Sequence, residues 1–353
     1  MLRNNFKFID LFAGIGGFRI ALDSLGGDCV FSSDIDIECQ KTYAKNFDEY
    51  PHGDITKINP SSVPDHDILC AGFPCQPFSI SGLKKGFDDA RGTLFFNIME
   101  IVQAKKPQVV FLENVKNLKD HDHGNTLKVI IKSLESEGYF VNWKILNAKD
   151  FGLAQNRERV IITATLDDKF NFDDLKLSEP APIKTIEDKN ADIPYLDKSE
   201  YTLLDQKLWK KQASGLIFCG YRNKAIRKNG IRPDTEHLSR VHKQPNRIYH
   251  IDGTHPTIAS QESAGRFFIY DGVGVRKLSI NECFRLQGFP DDYQKISSPG
   301  QLYRQIGNSV AIPMIKAVAE LLVKNHLKPL PAPESIFSQS KIEYKDLLQE
   351  VLF

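Results

Sequence analysis

The chain has 353 residues, of which 41% are hydrophobic and 26% are charged, and its net charge at pH 7 is +1. This balance is that of an ordinary globular protein with room for one large domain and a smaller one. Apolar runs all fall short of the roughly 18 residues of a membrane span, and the polar N-terminus does not resemble a signal peptide. The six cysteines show no CxxC spacing, which argues against zinc and against a disulfide framework. We therefore expect no metal, no membrane contact and a reducing, cytoplasmic setting.

Charge is unevenly distributed along the chain. Residues 167–205 contain eleven Asp or Glu and five Lys, a local balance of −6. Residues 207–250 contain eleven Lys or Arg and two Asp or Glu, a local balance of +9. A basic block within a neutral chain favours a surface that faces phosphates. A solvated loop region is the alternative, and charge alone does not separate the two.

The first 165 residues alternate between strand and helix patterns. Apolar runs predict strands at 6–12, 29–33, 67–71, 109–112, 139–146 and 160–166. Apolar positions at helical spacing predict helices at 17–25, 37–47, 93–105 and within 124–138. This alternation predicts an α/β fold with a mostly parallel sheet and helices on both faces.

The alternation breaks at Pro180, where short β-like pieces mix with Gly, Pro and basic residues. We predict a cofactor-binding and catalytic domain over 1–179 and a small, mainly β domain over 180–272. Residues 273–326 contain helical patterns at 278–286 and 311–323 and are expected to return to the first domain. The tail, 327–353, has no assigned role.

A glycine-rich turn, Asp10–Phe18, follows the first strand and opens the first helix. Glycines at this place let backbone amides approach a ligand at a helix N-terminus. Asp34 ends the second strand 20 residues after Gly14, where a carboxylate can hold ribose hydroxyls. Because Arg19 occupies the place of the third glycine of a dinucleotide fingerprint, the turn suits a mononucleoside such as S-adenosylmethionine. A NAD site and a purely structural turn remain the alternatives.

Two reactive side chains follow neighbouring strands. Cys75 lies within Gly72–Ser79, just past a strand, where a thiol is available to react, although a structural thiol in a turn is the alternative. Glu113 follows the next strand 38 residues later, and the ends of parallel strands face one cleft. Glu113 can hold or donate a proton to a heterocycle, or it can simply cap the next helix.

Two further strings contain candidate site residues. Gln155–Arg159 precedes a strand and can place two guanidinium groups toward the cleft, although a salt-bridged surface turn is the alternative. Gly307–Val310 precedes the last helix, where Asn308 or Ser309 can instead serve as its N-cap.

Taken in order, these strings resemble the bacterial cytosine-5 DNA methyltransferases of restriction–modification systems, over nearly everything from Lys7 to about His326. The matching blocks are Asp10–Phe18, Gly53–Thr56, Gly72–Ser79, Glu113–Val115, Gln155–Arg159, Arg276–Ser279, Arg285–Pro290 and Gly307–Val310. The resemblance implies a Rossmann-like domain that uses S-adenosylmethionine, without a metal, and a smaller target-recognition domain.

The resemblance also implies a cofactor site. Its residues would be Phe12, Gly14, Ile15, Gly16, Gly17, Phe18, Asp34, Ile35, Asp54, Ile55, Pro74, Asn308, Ser309 and Val310. Phe18 would stack on the adenine, Asp34 would bind the ribose and Asp54 the adenine amino group. This chain has Ile35 where the family often has an aromatic residue, which leaves an apolar contact.

Catalysis, by the same resemblance, starts with attack of the Cys75 thiolate on carbon 6 of a cytosine that has been flipped out of the duplex. Glu113 would hydrogen-bond ring nitrogen 3 and the exocyclic amine, while Arg157 and Arg159 would orient the base and its phosphates. The residues expected to touch DNA are Gln76, Ser79, Ser81, Arg222, Arg227, Arg240 and Thr257. The implied partner is double-stranded DNA. A cognate restriction endonuclease is expected genetically, not as a stable complex, and the protein is expected to be a monomer.

The alternatives differ in substrate or in class. A transfer-RNA cytosine methyltransferase would share the Cys and Glu blocks, but the Cys-Phe-Thr tripeptide of that group is absent from this sequence. A NAD-dependent oxidoreductase would explain Gly14 and Asp34 and leave Cys75, Glu113 and the basic block without a role. A non-catalytic DNA-binding protein would have no need of Cys75 and Glu113.

Overall fold

A six-stranded sheet forms the centre of the protein in the computed structural model, which describes residues 5–74, 94–223, 234–260 and 267–327. The first seven strands in chain order are β1 (Phe6–Leu11), β2 (Gly27–Ser33), β3 (Ile68–Gly72), β4 (Val109–Val115), β5 (Phe140–Asn147), β6 (Gln155–Asn156) and β7 (Glu158–Thr165). The strand order is β2-β1-β3-β4-β7-β5. Strands β1 to β4 pair in parallel, and β7 is antiparallel to both of its neighbours. The predicted mostly parallel sheet is confirmed, and β7 reverses because the link from β5 is too short for a parallel crossover.

Seven α-helices are present in the described part of the chain. They are α1 (Gly17–Asp23), α2 (Ile37–Phe47), α3 (Leu94–Lys105), α4 (Asn125–Ser136), α5 (Ile280–Arg285), α6 (Pro299–Asn308) and α7 (Ile312–His326). The sequence analysis predicted every one of them except α6. Helix α6 starts with Pro299 and Gly300, a pair typical of turns, and its buried apolar face is short.

Strand alternation divides the interior into two cores. In β1, Phe6 and Phe8 face one core, which also contains residues of α1, α5, α6 and α7. Ile9 and Leu11 face the other core, which contains residues of α3 and α4. The same alternation in β4 puts Phe111 in the first core, so Glu113, two residues later, is on the face that carries α1.

A second sheet has five short strands in the order β13-β12-β10-β9-β8. The remaining strands are β8 (Tyr201–Leu203), β9 (Phe218–Arg222), β10 (Arg247–His250), β11 (His255–Pro256), β12 (Phe268–Tyr270) and β13 (Val275–Lys277). Strand β11 pairs with β6 and thus connects the two parts of the molecule. The predicted domain boundaries stay predictions, although β13 pairs with β12 a few residues beyond the expected end at 272.

The C-terminal helices return to the first core, where α7 packs against α1. Residues Pro299–His326 are long and apolar enough to cross a membrane by length and composition, but 67% of their most apolar window is buried. Ser309 and Ala311 also lie outside helix within this stretch. These helices are therefore core elements of the first domain.

Candidate active site

A cavity of about 410 Å³ opens at the carboxyl ends of β1, β3 and β4. Its size is in the range of sites for small organic ligands. It is lined by twelve of the fourteen predicted cofactor residues: Phe12, Gly14, Gly17, Phe18, Asp34, Ile35, Asp54, Ile55, Pro74, Asn308, Ser309 and Val310. Ile15 and Gly16 are not among its lining residues, and the Ile15 side chain is buried in the first core.

The glycine turn has an unusual backbone. Phe12, Gly14 and Gly16 have positive φ values of 56°, 55° and 80°, a conformation that favours glycine. The Gly14 amide donates to Asp34 Oδ2 at 2.7 Å, which joins the turn to the end of β2. At Gly17 a Cβ atom would lie 2.7 Å from Val310 Cγ2, so glycine is what allows the 308–310 segment to lie against α1.

Carboxylates give one side of the cavity a negative character. Asp34, Asp36 and Asp54 all line it, and none of them pairs with a described Lys or Arg. The hydroxyl and the amide of Thr56 bind Asp54 and lower the pKa of its carboxyl, which is therefore ionised. Burial raises the pKa of Asp34, opposed by the donated amides of Asp36 and Gly14. A cavity of this charge and size fits a nucleoside that carries a positive centre.

Glu113 and Arg159 form a buried ion pair on the opposite side of the cavity. Arg159 Nε lies 3.0 Å from Glu113 Oε1, and each side chain is about 10% exposed or less. Glu113 pairs in register with Ile161, so alternation along β7 brings Arg159 to the same face of the sheet. Burial raises the pKa of the Glu113 carboxyl, and Arg159 and Arg157 oppose that rise. The site therefore holds an acid close to a fixed positive charge.

Arg157, between β6 and β7, lines the cavity and is almost fully buried. Its guanidinium donates to the Ile258 carbonyl at 3.1 Å, the Gly307 carbonyl at 3.1 Å and the Ser309 carbonyl at 2.6 Å. Burial lowers the pKa of Arg157. These bonds tie the cavity segment around Ser309 to the chain that directly follows β11. The predicted contact of Arg157 with the base stays a prediction.

Cys75 lies outside the described residues, directly after Pro74, which lines the cavity. The chain leading to it is held by Asn114, whose Nδ2 donates to the Phe73 carbonyl at 2.8 Å. The sequence analysis assigned no role to Asn114, although it stands next to Glu113 in a matching block.

Among the predicted DNA-contacting residues, Gln76, Ser79, Ser81 and Arg227 also lie outside the described part of the chain. Arg222 pairs with Glu200 at 3.0 Å and lies over the Phe268 ring, 4.9 Å from its centroid. Thr257 Oγ1 donates to the Asn156 carbonyl at 2.7 Å, across the β6–β11 pair. Arg240 is exposed. Their roles toward DNA stay predictions.

Two glutamines that the sequence analysis placed in matching blocks without a role, and a tyrosine that it did not single out, contact the backbone of the cavity wall. Gln155 Nε2 donates to the Leu286 carbonyl at 3.0 Å, and Gln287 Nε2 donates to the Ser309 carbonyl at 3.2 Å. The Tyr293 hydroxyl donates to the Ile15 carbonyl at 2.7 Å. No local sequence pattern predicts such contacts, because the acceptors are backbone carbonyls about 20 to 280 positions away along the chain.

The fold is a Rossmann-like α/β domain with a cavity at the carboxyl ends of its parallel strands, the usual place of ligand sites in such sheets, and an acid–guanidinium pair lies beside that cavity. Comparison of the sequence with known proteins identifies the family. A family profile described as C-5 cytosine-specific DNA methylase matches residues 6–324, and the chain belongs to that family.

Characterised relatives agree with this assignment. The chain is 41% identical over 325 residues to Type II methyltransferase M.HhaI of Haemophilus parahaemolyticus, covering 89% of this chain and 93% of that one. It is 41% identical over 340 residues to Type II methyltransferase M.HpaII of Haemophilus parainfluenzae, with 92% and 90% coverage. The fold is similar to that of the methyltransferase EhMeth of Entamoeba histolytica, with a TM-score of 0.66, 18% identity, and 92% and 100% coverage. The resemblance and the enzyme class expected from the sequence, a DNA cytosine-5 methyltransferase, are confirmed.

Proposed function

We propose that this chain is the modification enzyme of a type II restriction–modification system, which methylates carbon 5 of a cytosine within a specific sequence of duplex DNA. The observation that carries the proposal is a single cavity that brings the predicted cofactor residues together with the Glu113–Arg159 pair. The names of relatives that are 41% identical across most of the chain support the same function. The setting of such an enzyme is the bacterial cytoplasm.

The charge and the size of the cavity support S-adenosylmethionine as its ligand. Asp34 and Asp54 both line the cavity, and in the proposal Asp34 would bind the ribose hydroxyls and Asp54 a donor such as the adenine amino group. The unpaired carboxylates favour the sulfonium charge. When bound, the cofactor supplies an electrophilic methyl group.

Cys75 activates the substrate in the proposed mechanism. Its thiolate adds to carbon 6 of cytosine, which makes carbon 5 nucleophilic enough to take the methyl group. Loss of the carbon 5 proton to water then restores the double bond and expels the thiolate. The target carbon is inaccessible in a stacked duplex, so the base must leave the helix.

Glu113 stabilises the charge that develops on the ring during this addition. Ring nitrogen 3 of neutral cytosine is an acceptor, so a protonated carboxyl group is the partner it requires. Burial raises the pKa of Glu113, so the carboxylate of the ion pair takes up a proton more readily when the base binds. Arg159 fixes the orientation of the carboxyl group and adds positive charge close to the base.

The test is covalent trapping with 5-fluorocytosine. Fluorine cannot leave carbon 5 as a proton does, so the enzyme should remain bound to a duplex that carries the analogue at the target cytosine, in the presence of S-adenosylmethionine. Plasmid from a host expressing the chain, mapped for methylated cytosines, supplies the sequence of that duplex. Cys75→Ser is the control and should form no adduct.

Trapping on RNA alone would show that the substrate is wrong. Methyl transfer by Cys75→Ser at the wild-type rate would contradict the proposed mechanism.

A further inference from the structure

The peptide between Ile15 and Gly16, in the middle of the glycine turn, is held at both of its polar atoms. Its N–H group donates to the Ala13 carbonyl at 2.8 Å. Its carbonyl oxygen accepts the Tyr293 hydroxyl at 2.7 Å, although the two residues are 278 positions apart in the chain. A residue of the C-terminal return thus fixes the orientation of a peptide in the first turn of the protein.

This peptide needs an external anchor. Gly16 has a φ of 80°, and glycine occupies positive and negative φ with similar ease, so the peptide can rotate at low cost when its carbonyl is free. Rotation would disturb the residues on either side. Gly14 and Gly17 line the cavity, and the Gly14 amide is bonded to Asp34.

Tyr293 is a rigid donor. Its side chain is 5% exposed and packs against Phe289 and Phe284, with ring centroids 4.9 Å and 5.8 Å away. Burial raises the pKa of the phenol, so the hydroxyl keeps the proton that it donates. Both partners of this hydrogen bond belong to the protein, so the anchor can contribute to a preorganised site.

We propose that Tyr293 is a positioning residue for the cofactor site, whose hydroxyl holds the Ile15 carbonyl and so keeps Gly14 and Asp34 facing the ligand. The inference rests on the proposed function, because it assigns Tyr293 to the binding of S-adenosylmethionine. Tyr293 does not line the cavity and acts through the turn. It therefore supports cofactor affinity and leaves the methyl-transfer step unchanged.

Tyr139 provides a matched control. Its hydroxyl donates to the Pro107 carbonyl at 2.7 Å, its side chain is 3% exposed, and it belongs to the other core. Tyr293→Phe and Tyr139→Phe each remove one buried hydroxyl–carbonyl hydrogen bond, so the two variants should lose similar stability. Only Tyr293→Phe should weaken S-adenosylhomocysteine binding in calorimetry, by about 2- to 12-fold, the equilibrium effect of one hydrogen bond. Its KM for S-adenosylmethionine should rise by the same factor at constant kcat.

Hydrogen exchange of the cofactor-free protein tests the anchor without reference to activity. Amides of residues 12–18 should exchange faster in Tyr293→Phe than in the wild type and in Tyr139→Phe. Equal exchange in all three proteins, or equal affinity of both variants for S-adenosylhomocysteine, would overturn the inference. A wild-type protein that binds no S-adenosylhomocysteine would instead refute the proposed function, while the exchange rates would still decide whether Tyr293 holds the turn.

Discussion

The cavity and the second sheet use charge in opposite ways. In the cavity, Glu113 and Arg159 are buried and paired with each other at 3.0 Å. In the second sheet and its loops, Arg240 and Lys243 are exposed to solvent. The interaction within a buried pair depends on one fixed geometry and is strengthened by the low dielectric of the interior. Exposed charges instead attract DNA through their combined field, which salt screens. Single substitutions should therefore have large effects in the cavity and graded effects on the second sheet.

The two regions also differ in how they are packed. The central sheet has a large core on each face. Among the described residues, the second sheet has a core of four buried residues, Cys219, Ile248, Phe268 and Val275. Arg276 connects this small sheet to α5 through a bidentate pair with Glu282, at 2.9 Å for both contacts. The large domain thus supplies the rigid geometry that chemistry requires, and the small sheet supplies a surface.

The largest effect is expected in the cavity, from Glu113→Gln. The substitution keeps the size of the side chain, removes the acid and leaves the Arg159 charge unpaired. Methyl transfer under single-turnover conditions should slow by about 10²- to 10³-fold, the usual cost of one charge-stabilising group. Glu158→Gln, which removes an exposed carboxylate paired with Lys116, is the control and should retain nearly full activity. Unchanged transfer in Glu113→Gln would remove the role that we give to the buried pair.

An intermediate effect is expected from the exposed charges. Arg240→Gln combined with Lys243→Gln should weaken DNA binding and reduce the slope of log affinity against log salt by about 1 to 2, if each residue neutralises one phosphate. Turnover at saturating DNA should stay near that of the wild type. Lys128→Gln combined with Lys132→Gln removes the same two charges from exposed positions on α4 and should leave the slope unchanged. An unaltered slope in the double variant would show that Arg240 and Lys243 do not contact the DNA phosphates.

The smallest effect on activity is expected from two aspartates, whose contrast lies in the pH dependence of stability. Asp10 in β1 is fully buried, neither of its carboxyl oxygens has a hydrogen-bond partner within the described structure, and burial raises its pKa well above the usual range. The folded protein keeps a proton there that the unfolded chain releases above about pH 4. Stability should therefore fall as pH rises from that point toward the folded pKa, by up to about 1.4 kcal/mol per pH unit. Asp10→Asn should remove this decline.

The pKa shift of Asp197, which precedes β8, has the opposite sign. The hydroxyl and amide of Ser199 bind its carboxylate and lower its pKa. Its contribution is present above the unfolded pKa and is lost as pH falls through the folded pKa, so Asp197→Asn should differ from the wild type at neutral pH and converge with it in acid. Urea unfolding of both variants and of the wild type between about pH 2 and 8 checks the contrast, because the Asp197 carboxylate is protonated only below about pH 4. Parallel curves for the two variants would contradict it.

Local features of the fold were predictable from the sequence. Helix α2 was expected at 37–47 and is observed as Ile37–Phe47, where Asp36 accepts the amides of Glu38 and Cys39 as its N-cap. Its apolar period and its capping residue are both local signals. Helix α6 was missed because Pro299 and Gly300 are a local turn signal, and only packing of Leu302 and Ile306 on the first core decides in favour of helix.

What the sequence by itself determined was the set of short blocks whose residue types carry chemistry: the glycine turn, Asp34, Glu113 and the Gln155–Arg159 string. Tertiary structure alone decided the partners of those residues. It joined Glu113 to Arg159, Arg157 to the Ser309 carbonyl, and Tyr293 to the Ile15 carbonyl. The reason is physical: folding brings together residues that are distant in the chain, and for the two carbonyl acceptors every residue has such a group, so the partner leaves no mark in the sequence. Only the folded chain shows which carbonyl lies within reach of a given donor.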